Sequence, residues 1–331
     1  MNVLKFYLNK HSIVCFAFLT LMAYVGYMSL KILKISPKGA LTESGFLEAV
    51  DENYFQGVNY FNTKPGATRL KLHAEEASIL DKGNRIVFFS PKGQAETKSG
   101  QVFDYQAKKG LYLKMNEYLM LEQEVDVTSV NMKLKSHIAE YFEGNEKVVA
   151  KGEVKTWALD ARTKDRIRIF GDYMEWFVRQ DAGEFRGQVD GTIKRQRAFE
   201  ESVDFNCDIL KYNLLKSWIG LDGHVRLKKQ ELTATALHGE IFLENYNKKL
   251  KYYTLFDDVK VTEKLLVGGT PLVRRAFSER LEGYMAENKI ILTGSPKVFQ
   301  ETDTIKGNII VLRPDTEVVE VDDATTNFIL K

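Results

Sequence analysis

Six valines recur in one local setting along this chain: Val125, Val154, Val189, Val225, Val259 and Val298. Each follows an apolar stretch and a short polar or glycine break, and each starts a run of alternating residues. Leu119-Met-Leu-Glu-Gln-Glu-Val125, Val148-Val-Ala-Lys-Gly-Glu-Val154 and Ile219-Gly-Leu-Asp-Gly-His-Val225 read alike. Successive valines are 29, 35, 36, 34 and 39 residues apart. A drifting period of this size predicts repeated strand–turn–strand units that bury apolar faces against their neighbours. Repeats of β structure build an elongated surface or groove, so function is expected along the object rather than at one point.

Period-two alternation puts one face of a strand in an apolar interior and the other in water. On that basis Val125/Val127, Val225/Leu227 and Val259/Val261 share an inward face, and Asp126, Arg226 and Lys260 face outward. The same logic pairs Leu70/Leu72, Leu111/Leu113, Ile167/Ile169 and Val319/Val321, and Val154, Val189 and Val298 join them. Two readings of these inward faces stand: a filled core, or the lining of an apolar trough. Gly93, Gly183, Gly223, Gly268-Gly269 and Gly294-Ser-Pro punctuate the strands. Helical periodicity is weak even near Arg275–Ala286, so the body is expected to be all-β.

Composition matters here mainly through its distribution. Residues 1–38 hold Lys5, Lys10, Lys31, Lys34 and Lys38 and no acid, leaving 42 of the 47 basic residues to set against 45 acidic ones. A nearly neutral body argues against nucleic acid as partner, because phosphate binding needs a concentrated positive field. Ile13 to Leu30 is an uncharged run of 18 residues flanked by lysines. That suffices for a tilted membrane helix, expected over 12–33, with 1–11 as a short end before it. A cleaved signal peptide is the alternative, but no small-x-small triplet sits where a peptidase needs it. Lysines on both sides leave the orientation open. Residues 34–57 are polar and turn-rich and read as a tether. Tyr54, Phe55, Tyr60 and Phe61 cluster where it meets the first strands, either stapling that end or docking on a membrane partner.

The chain offers little for catalysis. His11, His73, His137, His224 and His238 have no partners at metal-ligand spacing, and His224 falls on a turn. Phosphate-cradling glycine loops and nucleophile elbows are absent. Asp172/Glu175 and Asp257/Asp258 are carboxylate pairs, but acids line the outward faces throughout, so these are read as solvated. Cys15 and Cys207 are placed too differently to pair. No catalytic residue, metal or cofactor is assigned.

Certain stretches resemble a known family. Glu282-Gly-Tyr-Met-Ala-Glu-Asn-Lys-Ile-Ile-Leu-Thr-Gly-Ser-Pro-Lys-Val-Phe-Gln, with Thr304-Ile-Lys-Gly-Asn-Ile-Ile, resembles the LptA/OstA-like proteins of lipopolysaccharide transport. Leu221-Asp-Gly-His-Val225 with Leu232-Thr-Ala-Thr-Ala236 fits an earlier turn of that pattern. The first part is similar to LptC: an anchor, then Arg69-Leu-Lys-Leu-His-Ala-Glu-Glu-Ala77 and Arg85-Ile-Val-Phe-Phe-Ser-Pro-Lys-Gly93. The resemblance implies an LptC-like β-jelly-roll over 58–197 and an LptA/OstA-like one over 198–331. These would be incomplete, V-shaped jelly-rolls, as two units or one continuous stack. It also implies inner-membrane anchoring with a cytoplasmic N-terminus, a periplasmic body, and acyl chains carried in an apolar trough.

The implied partners are lipopolysaccharide, LptB-, LptF- and LptG-like ABC transporter subunits, and an LptA- or LptD-like protein stacked edge to edge. Two sheets of roughly a dozen strands each would extend about 55–60 Å. Three functions therefore compete: a non-enzymatic carrier, an envelope scaffold with a filled core, and a polysaccharide-acting enzyme, which needs clustered carboxylates on one face.

Overall fold

The computed structural model describes residues 53–63, 69–98, 100–159, 165–194, 202–244, 250–267, 270–301, 303–314, 316, 318–322 and 325–327. The anchor and most of the tether, read from the sequence over 12–33 and 34–57, lie outside the described residues. Among the described residues no helix is long and apolar enough to cross a membrane. The body is all-β. Its first strands are β1 (Asn53–Asn62), β2 (Arg69–Leu80), β3 (Arg85–Phe89), β4 (Lys92–Glu96), β5 (Val102–Gln106) and β6 (Lys109–Leu113). Ten long strands follow: β7 (Tyr118–Thr128), β8 (Met132–Phe142), β9 (Lys147–Leu159), β10 (Arg166–Phe177), β11 (Ala182–Lys194), β12 (Val203–Asn213), β13 (Trp218–Lys229), β14 (Leu232–Leu243), β15 (Leu250–Val267) and β16 (Thr270–Tyr284). The last are β17 (Lys289–Thr293), β18 (Lys297–Gln300), β19 (Asp303–Lys306), β20 (Ile309–Leu312), β21 (Val319–Asp322) and β22 (Thr325–Asn327). β1 takes in Asn53–Gly57, which composition assigns to the tether, and β16 runs through the weakly helical stretch near Arg275.

The long strands pair antiparallel in chain order, each bent near its middle into two halves. In β7, β9, β11, β13 and β15 the bend is two successive residues with positive φ: Gln123–Glu124, Gly152–Glu153, Gly187–Gln188, Gly223–His224 and Asp257–Asp258. Gly294–Ser295 makes the same bend between β17 and β18. The next residue is the repeat valine in every case but the last, where Pro296 and Lys297 intervene before Val298. Neighbours in the even strands carry one residue fewer at the bend. Between the pairs Asp222↔His238 and Val225↔Ala236, β13 holds Gly223 and His224 while β14 holds only Leu237. This is a β-bulge repeated at every second strand, and a bulge bends and twists the strand that carries it. The six valines behind the bends are at most 2% exposed.

The bends divide the sheet into two limbs. In the first limb the neighbours run β1, β2, β3, β6, β7 to β16, β17, β20, β21. In the second they run β1, β2, β4, β5, β7 to β16, β18, β19, β22. Either limb crosses more strands than the dozen expected, and at about 4.8 Å per step it extends roughly 75 Å. β11 and β12 pair from Ala182↔Asn213 to Ile193↔Val203, so the ladder runs on across the sequence boundary near Arg197.

Outside the first limb, register aligns one residue per strand in a transverse row. From β7 to β17 it reads Tyr118, Phe142, Lys147, Phe177, Ala182, Asn213, Trp218, Phe242, Tyr252, Tyr284 and Lys289. Phe242 and Tyr252 stack at 4.5 Å, Tyr252 and Tyr284 at 6.0 Å, and the Lys289 ammonium lies 5.3 Å from the Tyr284 ring centre. The parallel row beside it holds acceptors: Tyr118 donates to Glu140 at 2.8 Å and the Trp218 indole to Glu240 at 3.1 Å. Cross-strand pairs of this kind contribute about 0.2–1 kcal/mol each.

Left-handed backbone is costly for residues with a Cβ, by about 1–3 kcal/mol each. At Gly223 a Cβ would also lie 2.2 Å from an Asp208 carboxylate oxygen. Gly223→Ala should therefore lower the unfolding free energy by about 1–3 kcal/mol, while Asp257→Gly, at a bend without glycine, should leave it unchanged or raise it. Urea unfolding of the two variants checks both signs.

Candidate functional site

The inner faces of the two limbs oppose each other across a shared apolar interior, made of two neighbouring clusters. One gathers Leu70, Leu72, Phe88, Tyr112, Leu121 and Val125; the other runs from Leu134 and Val154 to Leu292, Val298 and Ile310. Val127 touches both. The limbs meet directly where Phe103 of β5 lies edge-to-face on Trp176 of β10, ring centres 5.8 Å apart.

Two apolar cavities lie within this interior. The smaller, about 60 Å³, is lined by Phe103, Tyr105, Leu119, Val127, Met132, Leu134, Val148 and Trp176, among others. The larger, about 170 Å³, is lined from the second limb by Ile167, Ile193, Val203, Phe205, Leu227 and Leu232. The first limb adds Leu214, Ile219, Ile241, Leu243, Leu250 and Tyr253. Lys228, Lys229 and the buried Asp165 give the larger cavity a polar margin. Burial, with a smaller contribution from Glu263, pushes the Tyr253 phenol up to about 12, so the ring enters the cavity neutral.

Buried polar groups tie the strand ends of the two limbs together on either side of the larger cavity. Towards the N-terminal end, Asn62 donates to the Tyr112 hydroxyl at 2.8 Å, and Tyr112 donates to the buried Glu143 at 3.3 Å. Glu146, fully buried in the turn after β8, accepts from the Lys98 backbone N–H in the opposite limb and from Arg179 Nε at 2.7 Å. Towards the C-terminal end, Arg274 and Glu263 sit opposite each other on β16 and β15, 1% and 2% exposed. Arg274 Nε donates to Glu263 at 3.1 Å, and its terminal nitrogens donate to the Thr316 carbonyl at 3.0 Å and the Arg313 carbonyl at 3.3 Å. The turn between β20 and β21 is thus held across from the first limb to the second, and Asn288 donates to its Pro314 carbonyl at 3.4 Å.

Of the residues assigned inward by alternation, Val127 lines the smaller cavity, and Ile167 and Leu227 the larger. Leu70, Leu72, Val125, Val154, Val189, Val225, Val259, Val261 and Val298 are packed in the two clusters, and Ile169, Val319 and Val321 lean on them half-buried. Leu111 pairs with Met120, both buried, and lies on the opposite face of β6 from Tyr112, which packs in the first cluster; Leu113 shares the Leu111 face and is half-buried. Alternation alone misses Trp176, Phe205, Ile219 and Tyr253, because single aromatics and isoleucines in longer mixed runs leave the inward face undetermined.

At the bends, His224 Nδ1 lies 2.8 Å from Asp208, and His238 Nδ1 lies 3.1 Å from Asp222. Both pairs are well exposed. Among the described residues no group of three His, Cys, Asp or Glu is arranged to hold a metal. Cys207 is free and buried, and burial, aided by Asp208 and Asp222, pushes its thiol up to about 12.

No protein-family model matches this chain, and no curated protein sequence matches it. Among solved structures it is similar to the crystal structure of LptH, the LptA-homologous periplasmic component of the lipopolysaccharide transport device from Pseudomonas aeruginosa. The similarity covers 39% of this chain and 94% of that one, at 14% identity and a TM-score of 0.35.

Two outcomes follow from these buried groups. Removing one partner of a buried ion pair costs about 3–5 kcal/mol, whereas replacing both by apolar residues is much less disruptive. Arg274→Met should lower the urea midpoint by that equivalent, and Arg274→Met with Glu263→Leu should recover most of the loss. Because only the thiolate is nucleophilic, Cys207 in a Cys15→Ser chain should resist iodoacetamide at pH 8 when folded and react once unfolded; peptide mass spectrometry reads the difference.

Proposed function

We propose that this chain is a non-enzymatic carrier of lipopolysaccharide, its acyl chains lying between the two limbs. The supporting observation is the larger cavity: apolar side chains from both limbs, lysines at its margin, and a continuous ladder on either side of it. Each methylene moved from water into such a lining gains about 0.8 kcal/mol, so lipid can be held without any chemical step. Similar successive positions suit movement along the trough, since no one position traps the cargo.

On this reading the body lies in the periplasm, and the apolar run at Ile13–Leu30 anchors it in the inner membrane with a cytoplasmic N-terminus. The resemblance to LptC over the first part and to LptA/OstA-like proteins over the rest supports that arrangement. LptB-, LptF- and LptG-like ABC transporter subunits would supply the energy and hand over the lipid. An LptA- or LptD-like partner would continue the ladder edge to edge, because exposed strand edges are templates for further pairing. Roughly 75 Å of ladder reduces the number of additional units needed to cross between two membranes but does not by itself set it.

The other reading is a scaffold with a filled interior, and the nearly complete burial of both apolar clusters favours it. Photocrosslinkers separate the two in the full chain incubated with purified lipopolysaccharide. Val125 and Val259 are poor positions, being 2% and 1% exposed behind the bends. Ile219 and Leu227, on opposite walls of the larger cavity, are better, with outward-facing Lys211 as control. A carrier gives lipid adducts at Ile219 and Leu227 and none at Lys211; a folded protein with adducts at none of the three is a scaffold.

A further inference from the structure

The outer side of the second limb carries charge mainly of one sign. Just past the bends, register aligns two transverse rows of outward residues, from Asp126 and Thr128 on β7 to Lys306 and Thr304 on β19. Over roughly 50 Å of ladder they hold ten basic side chains and three acidic ones, Asp126, Asp190 and Asp204. Four of the ten are paired: Lys133 and Lys135 with Asp126, Lys155 with Glu153, and Lys260 with Asp258. The other six, Arg168, Arg226, Lys228, Arg275, Lys297 and Lys306, are exposed and have no ion-pair partner among the described residues. The outer side of the first limb is built the opposite way. One transverse row there carries Glu140, Glu175, Glu184, Glu240 and Glu282 against the single Lys211. Each of these glutamates is engaged within its own face, by Lys151, Lys147, Arg186, Trp218 and Arg280 in turn. A body whose charges nearly cancel therefore keeps its unneutralised positive charge on one side.

Aromatic residues lie among these cations in two edge-to-face pairs. Trp157 meets Phe170 at 6.0 Å and 71°, and Phe277 meets Phe299 at 5.8 Å and 84°. Bases stack on open ring faces, and rings turned against each other suit a nucleic acid poorly. Phe277 and Phe299 are nevertheless each 40% exposed. Beside them the β15–β16 hairpin reaches past both neighbouring strands, with Leu266 and Val273 81% and 44% exposed on the same outer side. A second copy of the chain would have to offer free carboxylates, and the glutamate row of its first limb is already engaged. Cations interleaved with exposed apolar side chains match the surface of an anionic bilayer, where phosphate gives way to acyl chain. We propose that the outer face of the second limb docks on an anionic lipid bilayer. The proposal goes beyond the carrier reading and stands without it, because the trough lies on the inner face of the same strands. Docked in this way the ladder lies along the membrane, a posture the body must leave in order to stand across a gap.

The test uses the full chain with Cys15→Ser, Cys207 being buried, and one new cysteine for a donor fluorophore. Thr262→Cys puts the donor in the basic face, between Lys228 and Arg275; Lys211→Cys puts it on the outer face of the first limb. Each labelled chain is reconstituted into vesicles that carry a headgroup-labelled acceptor lipid. With phosphatidylglycerol in the phosphatidylcholine bilayer, energy transfer should be strong from Thr262→Cys and weak from Lys211→Cys. In phosphatidylcholine alone, or at raised salt, the Thr262→Cys signal should be lost. Arg168→Glu, Arg226→Glu and Arg275→Glu together reverse three exposed charges, each basic residue near an anionic leaflet being worth about fivefold. The docking equilibrium should fall by about a hundredfold or more in that variant, with an unchanged melting temperature showing that it is folded. Equal transfer from the two sites overturns the proposal, as does Thr262→Cys transfer that persists in pure phosphatidylcholine or in the triple variant. Absence of transfer in every vesicle overturns it too. Loss of transfer when duplex DNA is added at matched phosphate concentration and constant ionic strength makes the face a nucleic-acid surface and overturns the lipid assignment.

Discussion

Two consecutive left-handed residues at the middle of every second strand are the constraint on which this structure rests. Without them the long strands would run straight, the sheet would present two open faces, and the apolar side chains would have nothing to meet. The bend turns one sheet into two opposed limbs and creates an interior from a simple meander. It also explains the repeat valines: the residue behind each bend is enclosed by both limbs and by the strands on either side, so a compact β-branched side chain fits where a longer one would not.

Much of this is written in local sequence. The glycine-x-valine breaks at Gly152, Gly187 and Gly223 coincide with the bends, because glycine reaches positive φ without a Cβ clash. The bends at Gln123–Glu124 and Asp257–Asp258 lack that signature and were locatable only through the valine that follows. Alternation separates two faces but does not name the inner one. In the run from Lys109 to Leu113 it is Tyr112, in register with Leu119 of β7, that joins the interior cluster, while Leu111 on the other face is buried as well, at 1% exposure. Arg274 is harder still. A charge in an alternating run reads as outward, and its burial depends on Glu263 across the ladder and on carbonyls some forty residues further on. Long-range partners of that sort leave no local trace.

The interior is closed by different means at its two ends and within the region between them. Apolar contact fills most of it, but where strand ends of the two limbs approach, the contacts are polar and buried: Asn62–Tyr112–Glu143, Lys98–Glu146–Arg179, and Arg274–Glu263 with the turn after β20. Buried polar contacts are directional and fail when one member is removed, whereas apolar contacts slide. Their position at the rims fixes how far apart the limbs stand while the lining between them stays adaptable. The outer aromatic row does similar work along the other axis, tying neighbouring strands of the first limb to one another independently of what the interior holds.

The uneven count at the bends, two residues in one strand against one in the next, has an evolutionary consequence. Losing or gaining a single strand would set two strands of the same kind side by side, and their bends would no longer nest. Losing or gaining an adjacent pair would restore the alternation and keep every side chain on its own face. Chains of this architecture are therefore free to lengthen or shorten in increments of two strands, roughly 10 Å at a time, as gene segments are duplicated or deleted.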